Sequence, residues 1–322
     1  MRTIRYHKHG APSVLRVEQG DVPEPGPGEV LIRSEAIGTN FMDTRLRQGF
    51  ALGAPDTKGT LTGDVVGKVE AVGPEADPHL VGRRVAALVA VDAAADFAVA
   101  DAEWLVDVPA DLSDGAATML PDLAPVALRT LRTGHLAPSE TVLVHAAAGG
   151  IGHIAVQLAK LLGAGKVIAT AGSSTKVDFA RSHGADVAVD YTHPAWTDQV
   201  QAAAPGGVDV VLDSVGGEIL HRSIDLLAPL GRVVTYGVAG GEYAQVPVAS
   251  LVRLRTVTGF SIMAWRAAHP TKAREDIEEL TALFTSGRLT ASVHARIPLD
   301  EAPEAHRILD ARANLGRVLL VP

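Results

Sequence analysis

Hydrophobic positions along the chain follow two rhythms. In the first hundred or so residues they form short runs that alternate in part with polar residues, as in EVLIRSE at 29–35. Turn chemistry separates these runs: Pro23, Pro25, Gly26, Pro27 and Gly28 make one break, and Gly63, Gly67 and Gly73 punctuate the next. Alternation turns successive side chains to opposite faces, so this half is expected to be mainly β. From about Thr141 the rhythm changes. Apolar cores at 142–144, 167–169, 187–189, 208–212 and 233–236 alternate with helical stretches. Strands that are apolar on both faces and separated by helices predict a parallel sheet covered on both sides, a doubly wound domain. Beyond about Phe260 a charged helix over 271–289 leads to a strand, a helix and the closing strand GRVLLVP at 316–322, which is free to complete the first half.

The segment at 141–163 reads TVLVHAAAGGIGHIAVQLAKLLG: a buried strand, a turn of small residues, then a helix. Ile151, Ile154, Ala155, Leu158 and Leu162 form one stripe of that helix and Gly163 is its expected stop. Ala147, Gly149 and Gly152 fill the three positions of a G-x-G-x-x-G/A pattern, with Gly150 and Ile151 between the last two. Small residues suit a tight turn whose backbone must approach a pyrophosphate and whose helix must pack closely on its strand. The helix N-terminus would then offer unpaired N–H groups and the positive end of its dipole to the diphosphate.

Sites that prefer NAD carry Asp or Glu about 20 residues beyond the glycines, to bind the ribose 2′-hydroxyl. Here that stretch is TAGSSTK at 170–176, with no carboxylate. Ser173, Ser174 and Lys176 supply donors and a positive charge, which suit a 2′-phosphate. NADPH is therefore the expected cofactor. The alternative reading of the same residues is a capped helix with a solvated lysine.

Composition narrows the picture. At 322 residues the chain exceeds the usual single domain, and about 150 residues per domain suggests two. With 47% hydrophobic and 20% charged residues it is an ordinary globular composition. A net charge of -8 without any basic run argues against nucleic-acid or anionic-membrane partners. Residues 1–10 lack the apolar core of a signal peptide, and no apolar stretch approaches the roughly 18 residues of a membrane span, so a cytoplasmic location is expected. Cysteine is absent, which removes thiolate catalysis and every sulfur-ligated zinc site. Of the 12 histidines only His7 and His9 stand close together, with no further ligands identifiable, and no metal site is expected.

From HKHGAPSVL near the start to GRVLLVP at the end, the chain resembles the zinc-independent quinone oxidoreductase branch of the medium-chain dehydrogenase/reductase superfamily. The motifs that carry the resemblance are HAAAGGIG, GTNFMDTRLRQG at 38–49, GDVVGKVEAVG at 63–73, VDVVLDSVGG at 208–217 and GRVVTYG at 231–237. It implies a GroES-like β domain joined to a Rossmann domain, divided as 1–120, 121–260 and 261–322, the last part returning to the first. It also implies a homodimer. Zinc-bearing relatives carry Cys near position 40 and a G-H-E segment, where this chain has Asn40 and Thr62-Gly63-Asp64. By resemblance Asn40 stands beside the nicotinamide, Lys176 and Tyr191 on the 2′-phosphate, Ser214 and Val238 along the cofactor, and Phe260 near the nicotinamide ring, with Arg317 reaching the same end.

Two departures bear on substrate. Arg45 stands where the family often has Tyr, and Leu120-Pro-Asp-Leu-Ala-Pro-Val126 lacks the usual Thr. Without a metal or a placed acid, reduction of an isolated ketone would leave its alkoxide poorly stabilised, whereas a conjugated acceptor spreads the charge. The expected activity is hydride transfer from NADPH to a small electrophilic acceptor, a quinone or α,β-unsaturated carbonyl, with Asn40, Asp43, Arg45 and Trp265 as candidates around it. Arg45 is otherwise a solvated loop residue and Trp265 a packing residue. Two alternatives stand beside this: an enoyl reductase acting on a carrier-bound substrate, and a protein that binds NADPH without turnover.

Overall fold

A computed structural model of the chain describes residues 1–50 and 59–322. It divides into two units, one formed by Met1–Asp122 with Leu280–Pro322 and the other by Leu123–Glu279. In the first, β1 (Arg2–Arg5) and β2 (Arg16–Gln19) make a hairpin beside a larger sheet. That sheet takes β3 (Glu29–Gly38), then, after helix α1 (Phe41–Gln48), β4 (Gly63–Val72), β5 (Arg84–Val89), β6 (Phe97–Asp101) and β7 (Val106–Asp107), with the short α2 (Asp114–Ala117) following.

The second unit begins with α3 (Leu123–Thr133) and then alternates β8 (Thr141–Val144), α4 (Gly150–Leu161), β9 (Lys166–Ala171), α5 (Ser174–Ser182), β10 (Val187–Asp190), α6 (Trp196–Ala203), β11 (Val208–Asp213), α7 (Gly217–Asp225) and β12 (Leu227–Thr235). After β13 (Thr256–Gly259) come α8 (Ile262–Ala268) and α9 (Pro270–Thr285), then β14 (Val293–Pro298), α10 (Ala302–Asp310) and β15 (Arg317–Val321) in the first unit.

The first sheet runs β14-β15-β3-β4-β5-β7, with β6 also on β3. The C-terminal strand β15 therefore lies against β3, antiparallel, with Leu319 opposite Gly38, while on the far side of β3 Gly38 faces Asp64 of β4. Inward-facing Val30, Ile32, Ile37, Val65, Val69, Val85 and Leu320 meet Leu299 and Leu309 in one core. The second sheet is parallel throughout, in the order β10-β9-β8-β11-β12-β13. Chain order reverses between β8 and β11, the switch point of a doubly wound sheet. Leu143, Ile168, Val189, Val211 and Val233 of its strands pack with Trp196, Val200, Leu220 and Ile224 of its helices.

Helix ends follow local chemistry. Gly163, at φ 91°, closes α4 in the left-handed region; its N–H reaches the carbonyl of Lys160 and that of Ala164 the carbonyl of Ala159, so the last carbonyls are satisfied. Two expected boundaries shift. The strand at 233–236 ends at Thr235, where the N–H of Tyr236 turns to the carbonyl of Asp213, and the helix expected over 271–289 stops at Thr285 because Gly287 adopts φ 70°.

Within the first unit α1 is tied to α10 by a buried cation. The Arg47 side chain is 0% exposed; its Nε donates to His306 Nδ1 at 3.1 Å, Nη2 to Asp310 at 2.5 Å and Nη1 to the carbonyl of Gly10. Burial, then the arginine charge, pushes His306 down to about 3, so its ring is neutral and can accept. Arg47→Leu should cost about 3 kcal/mol of stability, since it leaves Asp310 without its cation, bonded among the described residues only to Gln48, in a largely dry setting. Urea unfolding measures this, and a loss under about 1 kcal/mol would show that the network contributes no more than a surface pair.

Candidate functional site

Apart from Asn40 and Arg317, which belong to the first unit, the residues singled out for the cofactor fall along one edge of the second sheet. Residues 147–152 follow β8, Ser173 and Lys176 follow β9, Tyr191 follows β10, Ser214 follows β11, and Val238 and Phe260 come after β12 and β13. All six strands thus deliver them at their carboxyl ends, the side on which open α/β sheets bind ligands.

At the centre is the turn from β8 to α4. Ala146 sits at φ 49°, and Gly149 accepts the helix as its N-cap without a side-chain bond. The amides of Gly150, Ile151 and Gly152 open the helix, where no carbonyl lies one turn back to receive them. A Cβ on Gly152 would fall 2.3 Å from the Ala146 carbonyl oxygen and 2.7 Å from Ala147 Cα, both backbone atoms that cannot yield. Only glycine permits this approach. Ala147 is fully buried and its N–H bonds to the carbonyl of Thr170, which fastens the turn to β9.

Beyond β9, Ser173 caps α5: its Oγ accepts the N–H of Lys176 at 3.4 Å. Its hydroxyl is therefore engaged locally. The ring of Tyr191 lies over Gly172, 3.5 Å from where a Cβ would stand, and its N–H bonds to the carbonyl of Ala171. The tyrosine and the first turn of α5, which carries Lys176, share this corner. At the other end, buried Asp213 holds the loop after β11 by accepting from the amides of Val215 at 3.1 Å and Gly216 at 3.2 Å and from the hydroxyl of Thr235 at 3.3 Å. This is a strand-end role. Tyr236 bonds through its hydroxyl to the Ser214 side chain, the N–H of Ala239 bonds to the Ser214 carbonyl, and Phe260 donates to the carbonyl of Thr235. Trp265 packs within the second unit, with the Arg129 guanidinium 4.3 Å over its ring and the ring of His269 at 4.4 Å.

The remaining candidates lie in the first unit. Asn40 is the N-cap of α1 but makes no capping bond with its side chain. Instead its Oδ1 accepts from Arg317 Nη1 at 2.8 Å, and its Nδ2 lies 3.4 Å from Asp64 Oδ2. Arg317 Nη2 also bonds to that same Asp64 oxygen, and Nη1 lies 3.3 Å from the carbonyl of Thr39. Arg317 and Asp64 are 2% and 0% exposed. Asp43 is 2% exposed and accepts from the N–H of Thr62 at 2.8 Å and its hydroxyl at 2.9 Å, as well as from the Asn40 backbone. Arg45 lies on α1 between two rings, 5.2 Å from that of Phe41 and 5.0 Å from that of Phe50, and bonds to Gln48 at 3.1 Å.

Sequence reasoning named Asn40 and Arg317 separately and missed that Asp64 joins them. It also missed His145, which precedes the turn. His145 is wholly buried and pushed down to about 3 by burial, so it is neutral. The Ser223 hydroxyl donates to the carbonyl of Ile219 at 2.6 Å and so must accept from His145 Nε2 at 2.7 Å, which leaves Nδ1 to accept from Thr170 Oγ1 at 2.7 Å. The ring thereby links β8, β9 and α7. Its signal in the sequence was a polar residue closing an otherwise apolar strand.

Two family models match the chain: an alcohol dehydrogenase GroES-like domain over residues 26–110 and a zinc-binding dehydrogenase domain over residues 150–286. A quinone oxidoreductase of Pseudomonas aeruginosa is 37% identical, the match covering 100% of this chain and 99% of that protein. A 2-haloacrylate reductase of a Burkholderia species is 35% identical, covering 98% and 97% respectively. Among solved structures, Escherichia coli quinone oxidoreductase complexed with NADPH superposes with a TM-score of 0.91 at 31% identity, covering 100% of both chains.

Electrostatics distinguish the two acids beside Asn40. Burial first, opposed by the bonds from Thr62 and Asn40 and reinforced by the charge of Asp64, pushes Asp43 up to about 7. The folded protein therefore keeps a proton on Asp43 between about pH 4 and 7, where the unfolded chain has lost it, and stability falls as pH rises through that window. Asp43→Asn removes the titration while keeping an acceptor oxygen for Thr62. Subtracting the variant's unfolding free energy from that of the wild type should give a difference that declines with rising pH, at most about 1.4 kcal/mol per pH unit. A difference that is constant across the window would contradict the raised value.

Proposed function

The chain belongs to the quinone oxidoreductases of the medium-chain dehydrogenase/reductase superfamily, and from that premise we propose that it reduces a quinone or α,β-unsaturated carbonyl with NADPH. One observation carries the reading: the candidate cofactor residues of the second unit, from Ala147 to Phe260, lie at the carboxyl ends of all six strands of its sheet. NADPH, when bound there, supplies the hydride.

The residues divide the work. The amides of Gly150, Ile151 and Gly152, with the helix dipole behind them, hold the diphosphate. Lys176 and Tyr191, with Ser173 ordering the first turn of α5, take the 2′-phosphate. Ser214, Val238 and Phe260 line the cofactor toward its nicotinamide end, and Asn40 serves the acceptor. Asp43 acts by fixing α1 through Thr62, Arg45 by packing between Phe41 and Phe50, and Trp265 by packing against Arg129. Conjugation fits such a site because the charge left by the hydride spreads to oxygen, where a neutral donor suffices.

The residues do not suit a catalytic zinc. The chain has no Cys, and where zinc-bearing relatives ligate, Asp64 is already held by the Arg317 guanidinium. Among the described residues no group of three His, Cys, Asp or Glu is placed to hold a metal. We read the enzyme as zinc-independent. Among the described residues no helix is long and apolar enough to cross a membrane, and we assign the protein to the cytoplasm.

A second copy is the proposed partner. β13 is an edge strand with unpaired backbone groups, and beside it Leu230, Val248, Val252 and Leu254 are 67%, 79%, 77% and 64% exposed. Strand-to-strand pairing there would cover both the edge and the apolar side chains.

Three experiments test these readings. NADPH oxidation against a panel of quinones, enones and acyl thioesters should proceed with the first two; preference for thioesters would point to an enoyl reductase, and tight NADPH binding without any oxidation to a non-catalytic role. Lys176→Ala should weaken NADPH by about 10- to 100-fold while sparing NADH, and equal losses would defeat the 2′-phosphate assignment. In sedimentation the wild type should run as a dimer and Val252→Asp/Leu254→Asp as a monomer, whereas an unchanged mass would remove β13 as the interface.

A further inference from the structure

An asparagine at the head of a helix ordinarily turns its side chain back to accept an N–H from the first turn. Asn40 does not; only the reciprocal bond is made, in which the Asp43 side chain accepts the backbone N–H of Asn40. The Asn40 carboxamide is directed instead at Arg317 and Asp64, and their chemistry settles which way round it lies. A guanidinium only donates, so the atom 2.8 Å from Arg317 must be the amide oxygen. Asp64 only accepts while ionised, so the amide nitrogen lies on its side, 3.4 Å away. One amide hydrogen is then directed to Asp64, and the amide nitrogen carries a second to offer an acceptor.

The arrangement has a dedicated construction. Arg317 leaves β15, passes over β3 and reaches Asp64 on β4, about 10 Å away at two strand spacings. The crossing point is Gly38, where a Cβ would stand 1.9 Å from Arg317 Nη2 and 2.4 Å from its Cζ. A buried ion pair is a poor source of stability compared with apolar side chains of the same volume. What this pair supplies that an apolar pair lacks is a fixed orientation for a half-buried amide.

We propose that Arg317 and Asp64 are positioning residues that lock the Asn40 carboxamide as a hydrogen-bond donor to the oxygen of the conjugated acceptor, an inference that rests on the hydride-transfer reading above. The hydride would leave its C–H bond on NADPH, oxidising it to NADP+, and form a bond to the conjugated carbon; the π pair of the acceptor moves to its oxygen, and the Asn40 N–H stabilises that oxygen without giving up its proton. Water then protonates the anion. Arg317 in this scheme acts through Asn40 and does not touch the cofactor.

The test uses steady-state kinetics with NADPH and a naphthoquinone, NADPH fluorescence titration, and thermal unfolding of each variant. Asn40→Asp keeps the shape and the bond to Arg317 but has no amide hydrogen, and its kcat should fall about 100-fold with NADPH affinity unchanged. Asp64→Asn/Arg317→Met removes both charges together, so that no lone buried charge remains; kcat should fall about 10- to 100-fold, again without loss of NADPH affinity. Added to Asn40→Ala, the same pair of changes should cost nothing more, because its effect runs through the missing amide. Losses that multiply, an unchanged kcat in either variant, or NADPH affinity falling in step with kcat would each overturn the proposal. If the double variant does not fold, Asn40→Asp alone decides. A wild type inert toward every acceptor would instead sink the hydride-transfer reading, and this one with it.

Discussion

A missing side chain governs the nucleotide-binding unit. At Gly152 a Cβ would stand 2.3 Å from the Ala146 carbonyl, so the helix can start hard against its strand only because nothing is there. That contact sets the direction of α4, and with it the direction of the first free amides. Ala146 in turn accepts a left-handed backbone that a non-glycine residue adopts at some cost, held in place by the bond from Ala147 to Thr170 and by the His145 bridge to Thr170 and Ser223. The neutral ring is what makes the bridge possible, since a charged imidazolium could not accept from the threonine.

The first unit solves a different problem with the same device. Gly38 is empty so that a cation can cross a strand, and the crossing joins the C-terminal β15 to β4 through β3. Arg47 repeats the theme between α1 and α10. In both cases a residue near the end of the chain meets one near position 40, so α1 is held at both of its ends by the C-terminal segment.

Much of this was legible from the pattern of apolar positions. The five strand cores of the parallel sheet lie where alternation with helices placed them, because strands buried on both faces leave a signal independent of distant partners. β13 escaped notice: TVTG is short, polar and at the sheet edge, where burial imposes no pattern. The glycine turn was legible because close backbone approach restricts residue type locally. The link between Asn40, Asp64 and Arg317 was not, since it joins positions up to 277 residues apart and each residue alone is unremarkable in its own segment. Ser173 shows the converse, a residue whose local role is plain in the structure: its hydroxyl oxygen caps α5 by accepting the N–H of Lys176.

Charge accounting explains why the acids beside Asn40 differ. The charge of Asp64 raises the cost of ionising Asp43, and Arg317 is a cation that bonds to Asp64. Arg317 bonds to Asp64, so Asp64 carries the charge; Asp43, dry and bonded mainly by Thr62, is the one that retains a proton toward neutrality. The Arg317–Asp64 pair is then balanced, with the neutral Asn40 amide beside it. A free cation in that place would bind anions of any kind, and a free carboxylate would repel the oxyanion that hydride transfer creates. An amide held by a balanced pair does neither, and it discriminates by geometry, favouring an acceptor whose oxygen lies in line with one N–H.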